Sequence, residues 1–412
     1  IVYRLGTYIP LPGIDPVILQ DIFRQQAGGI LGMFNMFAGG ALGRMTIFAL
    51  NIMPYISAAI IMQLMTSISP SMNQLKKEGA TGQKKINQYT RYLTVLIATM
   101  QAYGIAVGIE GMQGSLGSAV VSPGAFFRFT AVVTLVGGTM FLMWLGEQIT
   151  ARGVGNGISL IIFAGIVAEL PSALAGTLEL GRTGALSSGI ITTILIMAVF
   201  VIYAIVFVER AQRRLVVQYP KRQQGNKMYG GESSHLPLKI NTSGVIPLIF
   251  ASSLLLMPTT VISFMANTGP EWLTTVSSLL GRGQPSYLII YSALIAFFAF
   301  FYTAVVFNPE ETADNLKKNG GFIPGIRPGK NTAEYLEYVT TRLTVVGASY
   351  LVAVALLPEI LISQWSVPFF FGGTSLLIVV TVTMDTVAQV QSHMLAHQYE
   401  GLIKKSRLKG RR

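Results

Sequence analysis

The chain contains no cysteine, which excludes disulfides, thiolate metal sites and cysteine nucleophiles and leaves the redox compartment open. Charge is scarce as well: 12% of 412 residues are charged, where soluble domains carry about 25%. A chain so poor in charge is an integral membrane protein. Histidine occurs three times. His393 and His397 are four apart, a spacing that can share a metal, but no glutamate completes an HExxH and both lie in a basic tail, so a solvated helix face is the better reading. No Walker A pattern is present, because Gly329-Lys330 lacks its upstream glycine, and no GxSxG elbow occurs. Gly153-Val-Gly-Asn-Gly157 opens an apolar run and reads as a turn rather than a phosphate cradle. No catalytic constellation emerges, and no cofactor is expected.

Charge is also missing where a pump or coupled transporter would need it, as paired ionisable residues inside the spans. The acids near spans are Glu147, Glu169 and Asp385, each close to an end. Neither a ring of charge nor a carbonyl filter suggests an ion channel. A ten-span secondary transporter stays the alternative reading, and a membrane-embedded hydrolase a third. What remains is a bundle with an apolar interior, suited to a passage that must seal around something large.

What the chain has is apolar length: 51% hydrophobic residues, with 43 glycines of the kind that let membrane helices pack closely. Spans of about 20 mostly apolar residues are expected at Asn51–Ser67, Leu93–Ile109, Phe129–Leu145, Ile158–Leu174, Ile190–Val208, Val245–Met265, Tyr287–Phe307, Leu343–Leu357 and Phe369–Val390. Ile1–Ile9 reads as the tail of a truncated first helix, which makes ten. Of the 30 basic residues, 24 fall in alternate loops and the tail, leaving six on or near the other face. By the positive-inside rule the 24 are cytosolic, as are both termini. The basic excess also suits anionic lipid.

Two basic loops exceed what topology requires. Glu209–Asn241 carries Arg213, Arg214, Lys221, Arg222 and Lys227, with Leu215–Tyr219 and His235–Ile240 as strands of a hairpin. In Asn308–Thr341, Asn308 caps a short helix, Pro309 takes its first position, Glu310 and Glu311 its first turn, and Lys317 and Lys318 close it. Pro324 and Pro328 stiffen the tip that follows, so Arg327 is displayed rather than buried, which favours a partner contact over a merely solvated charge.

The stretch Leu31–Leu64 organises the rest. It begins as a glycine-broken apolar piece carrying Arg44, then restarts at Asn51 and Pro54 as a cleaner helix with Ile52, Ile56 and Ile60 in one row. A half-inserted helix before a true span fits a cavity lining or stopper, since irregular backbone at membrane depth needs protein or water around it. A kinked span with an amphipathic lead-in fits the same residues.

FNMFAGGAL, IMPYISAAIIMQL, MFLMWLGEQIT with GVGNGIS, HLPLKIN with GVIP, FNPEETADNLKKNGGFIPGIRPG and FGGTSLLIVVTVTMDTVAQVQSH, in this order, resemble the SecY family in its bacterial form across essentially the whole chain. The resemblance implies an all-α membrane protein of ten transmembrane helices in two pseudo-symmetric five-helix halves, with a short plug helix. The halves would be 1–174 and 190–391, the second carrying loops 209–241 and 308–341, with a basic tail at 392–412. The plug would be about Gly32–Arg44, including Phe34, Asn35, Met36, Phe37, Gly39, Gly40 and Arg44. The pore ring would be Ile52, Ile56, Ile162, Ile246, Leu254 and Ile378, and the lateral gate would part spans two and seven, flanked by three and eight. The implied activity is conduction of unfolded secretory chains and sideways release of membrane helices in the bacterial inner membrane. Implied partners are SecE-like and SecG-like small subunits, the SecA motor ATPase, the ribosome, and signal peptides; Arg327, Arg213, Arg214, Lys221, Arg222 and Lys227 would dock the motor or ribosome.

Overall fold

The structure is a computed structural model that describes residues 1–25, 35, 38–111, 113–114, 117–183, 187–219, 222–224, 227–229, 233–265, 279, 284–365 and 373–409. In chain order its helices are α1 (Val2–Gly6), α2 (Pro16–Gln25), α3 (Met53–Ile68), α4 (Pro70–Lys77), α5 (Ala80–Glu110), α6 (Ala125–Arg152), α7 (Gly157–Arg182), α8 (Ser188–Arg210), α9 (Ile246–Met265), α10 (Pro285–Val306), α11 (Pro309–Lys318), α12 (Lys330–Trp365) and α13 (Gly373–Lys409). Seven of the described helices (α5 to α8, α10, α12 and α13) are long and apolar enough to cross a membrane, and α3 and α9 carry shorter apolar stretches. Over its described residues each of the nine expected spans from Asn51 on is helical, but for a residue or two at some ends, and 369–372, the start of the last, lie outside the described residues. Several run well past their apolar core into the basic loops; α5 starts at Ala80, where hydropathy alone places the span's beginning at Leu93.

Asn51 is not the cap of α3. Ile52 occupies that position without a side-chain hydrogen bond, and Pro54 falls in the first turn as expected. Asn51 adopts φ +50°, the left-handed region that asparagine tolerates better than other side chains, and so turns the chain into the helix. Ile52, Ile56 and Ile60 are all buried.

The piece before α3 is threaded against the chain's start. Leu11 N–H donates to Met45 O at 2.9 Å and Ile47 N–H to Ile9 O at 3.1 Å. The other side of that start is held by Asp15 N–H to Ala119 O, 3.0 Å, and Val121 N–H to Gly13 O, 3.0 Å. The small antiparallel pair β1 (Gln113–Gly114) and β2 (Gly117–Ser118) lies in the same α5–α6 loop.

At the opposite, basic face, β3 (Gln212–Gln218) pairs antiparallel with β6 (Ser233–Lys239), Leu215 opposite Leu236. Within the same loop a second antiparallel pair forms between β4 (Arg222–Gln224) and β5 (Lys227–Tyr229). The two long loops form one unit. Gln218 and Phe322 exchange backbone hydrogen bonds of 2.9 and 3.0 Å, and Leu215, Leu238, Ala313, Ile323, Leu336 and Val339 make a second, small core beside the membrane bundle.

Candidate functional site

Ile52 caps α3 and Ile56 lies in it, Ile162 comes from α7, Ile246 and Leu254 from α9, and Ile378 from α13. Ile52, Ile56, Ile162 and Ile378 are buried in one apolar cluster, and Ile246 packs against it half-buried. Leu254 stays outside, 39% exposed, although both of its neighbours in sequence, Ser253 and Leu255, are buried. The convergence is braced from both ends. Ser253 Oγ donates to Met53 Sδ, joining α9 to α3, and Gly155 N–H donates to Gln389 Oε1 at 2.8 Å, joining the turn before α7 to α13. Phe250 sets its ring edge-on to Phe298, centroids 5.8 Å apart, and so fixes α9 against α10. Aliphatic side chains offer water and ions no hydrogen bond, so a cluster of this kind is unfavourable to both.

Beside it lies the glycine-broken piece. Phe34, Met36 and Phe37 fall outside the described residues, as does Gly32–Met33. The described remainder, Ala38–Arg44, is a run of turns rather than helix, because Gly39 and Gly40 adopt φ +63° and +78°, which ends helical geometry. Asn35 holds the turn together: its carbonyl accepts from Gly40 N–H at 2.8 Å, and its Oδ1 from Gly43 N–H at 2.6 Å. The turn is fastened to two helices. Tyr3 Oη of α1 donates to Ala38 O at 3.2 Å, and Arg4 Nη1 donates to Gly39 O at 3.0 Å. Arg44 Nη2 reaches that same carbonyl at 3.0 Å and lies 4.0 Å from Glu169 Oε1 on α7.

On the basic face, Arg327 is exposed on its stiffened tip while its neighbour Ile326 packs on the small core. Thr332 Oγ1 donates to Arg327 O at 3.0 Å, fixing the tip against the start of α12. The Asn308 cap is present: its Oδ1 accepts from Glu310 and Glu311 N–H at 3.1 and 3.4 Å. Arg213 and Arg214 are exposed on β3, Arg222 and Lys227 are strand residues of β4 and β5, and Lys221 lies outside the described residues.

Two arrangements escape the sequence. Glu209, the penultimate residue of α8, is buried and accepts from Asn241 Nδ2 at 2.6 Å; Asn241 Oδ1 in turn accepts from Ser243 at 3.0 Å. Beside Arg210 it reads as a solvated helix end, and the only hint is the polar Asn241-Thr-Ser-Gly244 run just before α9. Arg91 of α5 pairs with Glu147 of α6 through two guanidinium nitrogens, at 3.1 and 2.5 Å. Each residue alone looks like an ordinary interfacial charge.

A family model described as SecY matches residues 46–387. The chain is 57% identical over 411 residues to the protein translocase subunit SecY of Escherichia coli (strain K12), covering 100% of this chain and 93% of that protein. It is 56% identical over 414 residues to the subunit of that name from Vibrio cholerae, with coverage of 100% and 93%. Among solved structures it is similar to "The structure of a protein conducting channel", with TM-score 0.68 and 17% identity over 96% of this chain and 90% of that one. A structure titled for the SecY plug domain that stabilises the closed state gives TM-score 0.60 at 16% identity, covering 96% and 97%. Sec61 in a canine ribosome-channel complex gives 0.63 at 16% identity, covering 96% and 90%.

Proposed function

The chain belongs to the SecY family of protein translocase subunits, and we propose that it divides the work of a protein-conducting channel among the parts described above. Unfolded secretory chains pass through its centre, and sufficiently apolar segments leave sideways into lipid. Residues 1–174 and 190–391 act as two halves around the passage. Ile52, Ile56, Ile162, Ile246 and Ile378 form its constriction, with Leu254 on the exposed side of α9. The segment Gly32–Arg44 is the stopper, with Phe34, Asn35, Met36, Phe37, Gly39 and Gly40 in it. The seam between α3 and α9, flanked by α5 and α10, is the lateral gate.

The face bearing the 24 basic residues looks into the cytosol of a bacterial cell, both termini included, and touches anionic lipid. There the unit built on β3, β6, α11 and Arg327 docks a ribosome or a SecA-like motor. A ribosome would meet it through RNA phosphate; the motor would supply the ATP hydrolysis, since the channel itself catalyses nothing. SecE-like and SecG-like small subunits complete the assembly.

One observation carries this reading: isoleucines from three separate helices, α3, α7 and α13, are buried together in an uncharged apolar cluster. A coupled transporter needs ionisable groups at such a centre. The test is reconstitution of the purified complex in liposomes with motor and ATP. Protease protection of an unfolded secretory precursor is expected, without gradient-driven accumulation of small solutes. Solute uptake with no precursor protection would overturn the proposal.

A further inference from the structure

We propose that Glu169 of α7 is the counter-charge that holds the Ala38–Arg44 turn in its closed seat. The inference rests on the stopper reading and adds what fastens it. Two guanidiniums, those of Arg4 and Arg44, converge on a single acceptor, Gly39 O, each at 3.0 Å. Both also lie over the ring of Tyr8, at 5.3 and 4.3 Å from its centroid. Two like charges gathered on one carbonyl and one ring repel each other. The carboxylate facing Arg44 from α7 is Glu169, with its side chain and that of Arg44 30% and 27% exposed.

The seat has shape as well as charge. A Cβ at Gly39 would stand 3.0 Å from Gly165 Cα, and one at Gly40 would stand 2.6 Å from Glu169 Oε1. The turn therefore lies directly on the α7 backbone. Gly165 and Glu169 are one helical turn apart and share a face; Ile162, three residues earlier, belongs to the constriction. One stripe of α7 thus supplies a ring side chain, a notch for the stopper and the charge that retains it.

The clasp is made to release. At 4.0 Å the Arg44–Glu169 pair is beyond direct hydrogen-bond contact, and part-exposed pairs contribute little individually. A chain pushing through the constriction has no deep ion pair to break, yet in its absence the carboxylate biases the turn toward its seat.

The test measures resting ion conductance of the full translocase complex in planar bilayers, without motor or substrate. Glu169→Gln and Arg44→Gln are each expected to raise it about two- to five-fold, the scale of a part-exposed ion pair. The double variant should leak no more than either single one, and the charge swap Arg44→Glu with Glu169→Arg should leak less than both. In parallel, a cysteine at the buried Ala41, unique because the chain has no other, should react faster with a water-soluble maleimide in the Glu169→Gln background. If that variant fails to assemble, Arg44→Gln carries both measurements from the other side. Wild-type conductance and labelling in both single variants, or effects that multiply in the double, overturn the clasp. Deletion of Gly32–Arg44 separates the two ideas. If the deletion leaks and Glu169→Gln does not, the stopper stands and the clasp falls; if the deletion does not leak, both fall.

Discussion

The hydroxyl of Ser253 donates to the thioether sulfur of Met53 at 3.6 Å, across 200 residues of sequence. Met53 follows Ile52 at the start of α3, and Ser253 lies two turns into α9, so the bond closes the proposed lateral gate at the level of the constriction. Sulfur is a weak acceptor. The small serine brings the helices into contact without locking them, which suits a seam that must part and close again.

Cysteines at Met53 and Ser253 should therefore staple the gate. The chain supplies no competing thiol, so an oxidant or a short bis-maleimide joins this pair alone. The stapled complex is expected to stop inserting membrane helices and exporting precursor, and a reductant should restore the oxidised form. Export at the normal rate by a fully joined channel would place the gate elsewhere.

Polar substitution in the constriction should cost the seal. Ile378 is 0% exposed; Ile378→Ser replaces an aliphatic side chain of the proposed ring with a hydroxyl and gives water a foothold there. Steady ion conductance in the resting complex is expected, while Ile378→Val, which loses one methylene at about 0.5–1.5 kcal/mol of stability, should stay sealed. Equal, wild-type conductance from both variants would remove Ile378 from the ring.

The helices were legible in the sequence because apolar length is enough to identify a span, and the α11 caps because each side chain acts on its own backbone. Pairings between distant charges were not. Glu169 looks like a residue near a span's end until Arg44, 125 positions earlier by their numbers, is seen facing it. Glu209 likewise looks solvated until Asn241 covers it. Leu254 shows the opposite limit. Its surroundings point to the ring, but rotation about the α9 axis decides its exposure, and the serines beside it that would mark a polar face, Ser252 and Ser253, are themselves buried. Residue identity also could not show that the two basic loops share one small core.

Arg327→Glu should separate docking from folding. The side chain is exposed while Ile326 and Thr332 hold the tip, so stability should change by no more than about 0.5 kcal/mol. ATP-driven protection of a precursor should nevertheless be abolished. A variant that exports like wild type would leave the tip without a docking role, whatever its stability.

The neighbouring glycines of α6 should respond with opposite sign. A Cβ on Gly138 would overlap the carbonyl oxygen of Ile47, in the turn that leads into α3, whereas one on Gly137 meets nothing within 4 Å. Gly138→Ala must push α6 off that turn, and overpacking of this kind costs about 1–3 kcal/mol. Gly137→Ala keeps every contact and gains helix propensity worth up to about 1 kcal/mol. Thermal unfolding of the detergent-solubilised complex should show the first variant melting below wild type and the second at or above it. Because Ile47 lies five residues before Ile52, the first variant should also leak ions at rest and the second should not. Two equally destabilised variants would mean that α6 does not hold the turn where the carbonyl contact puts it.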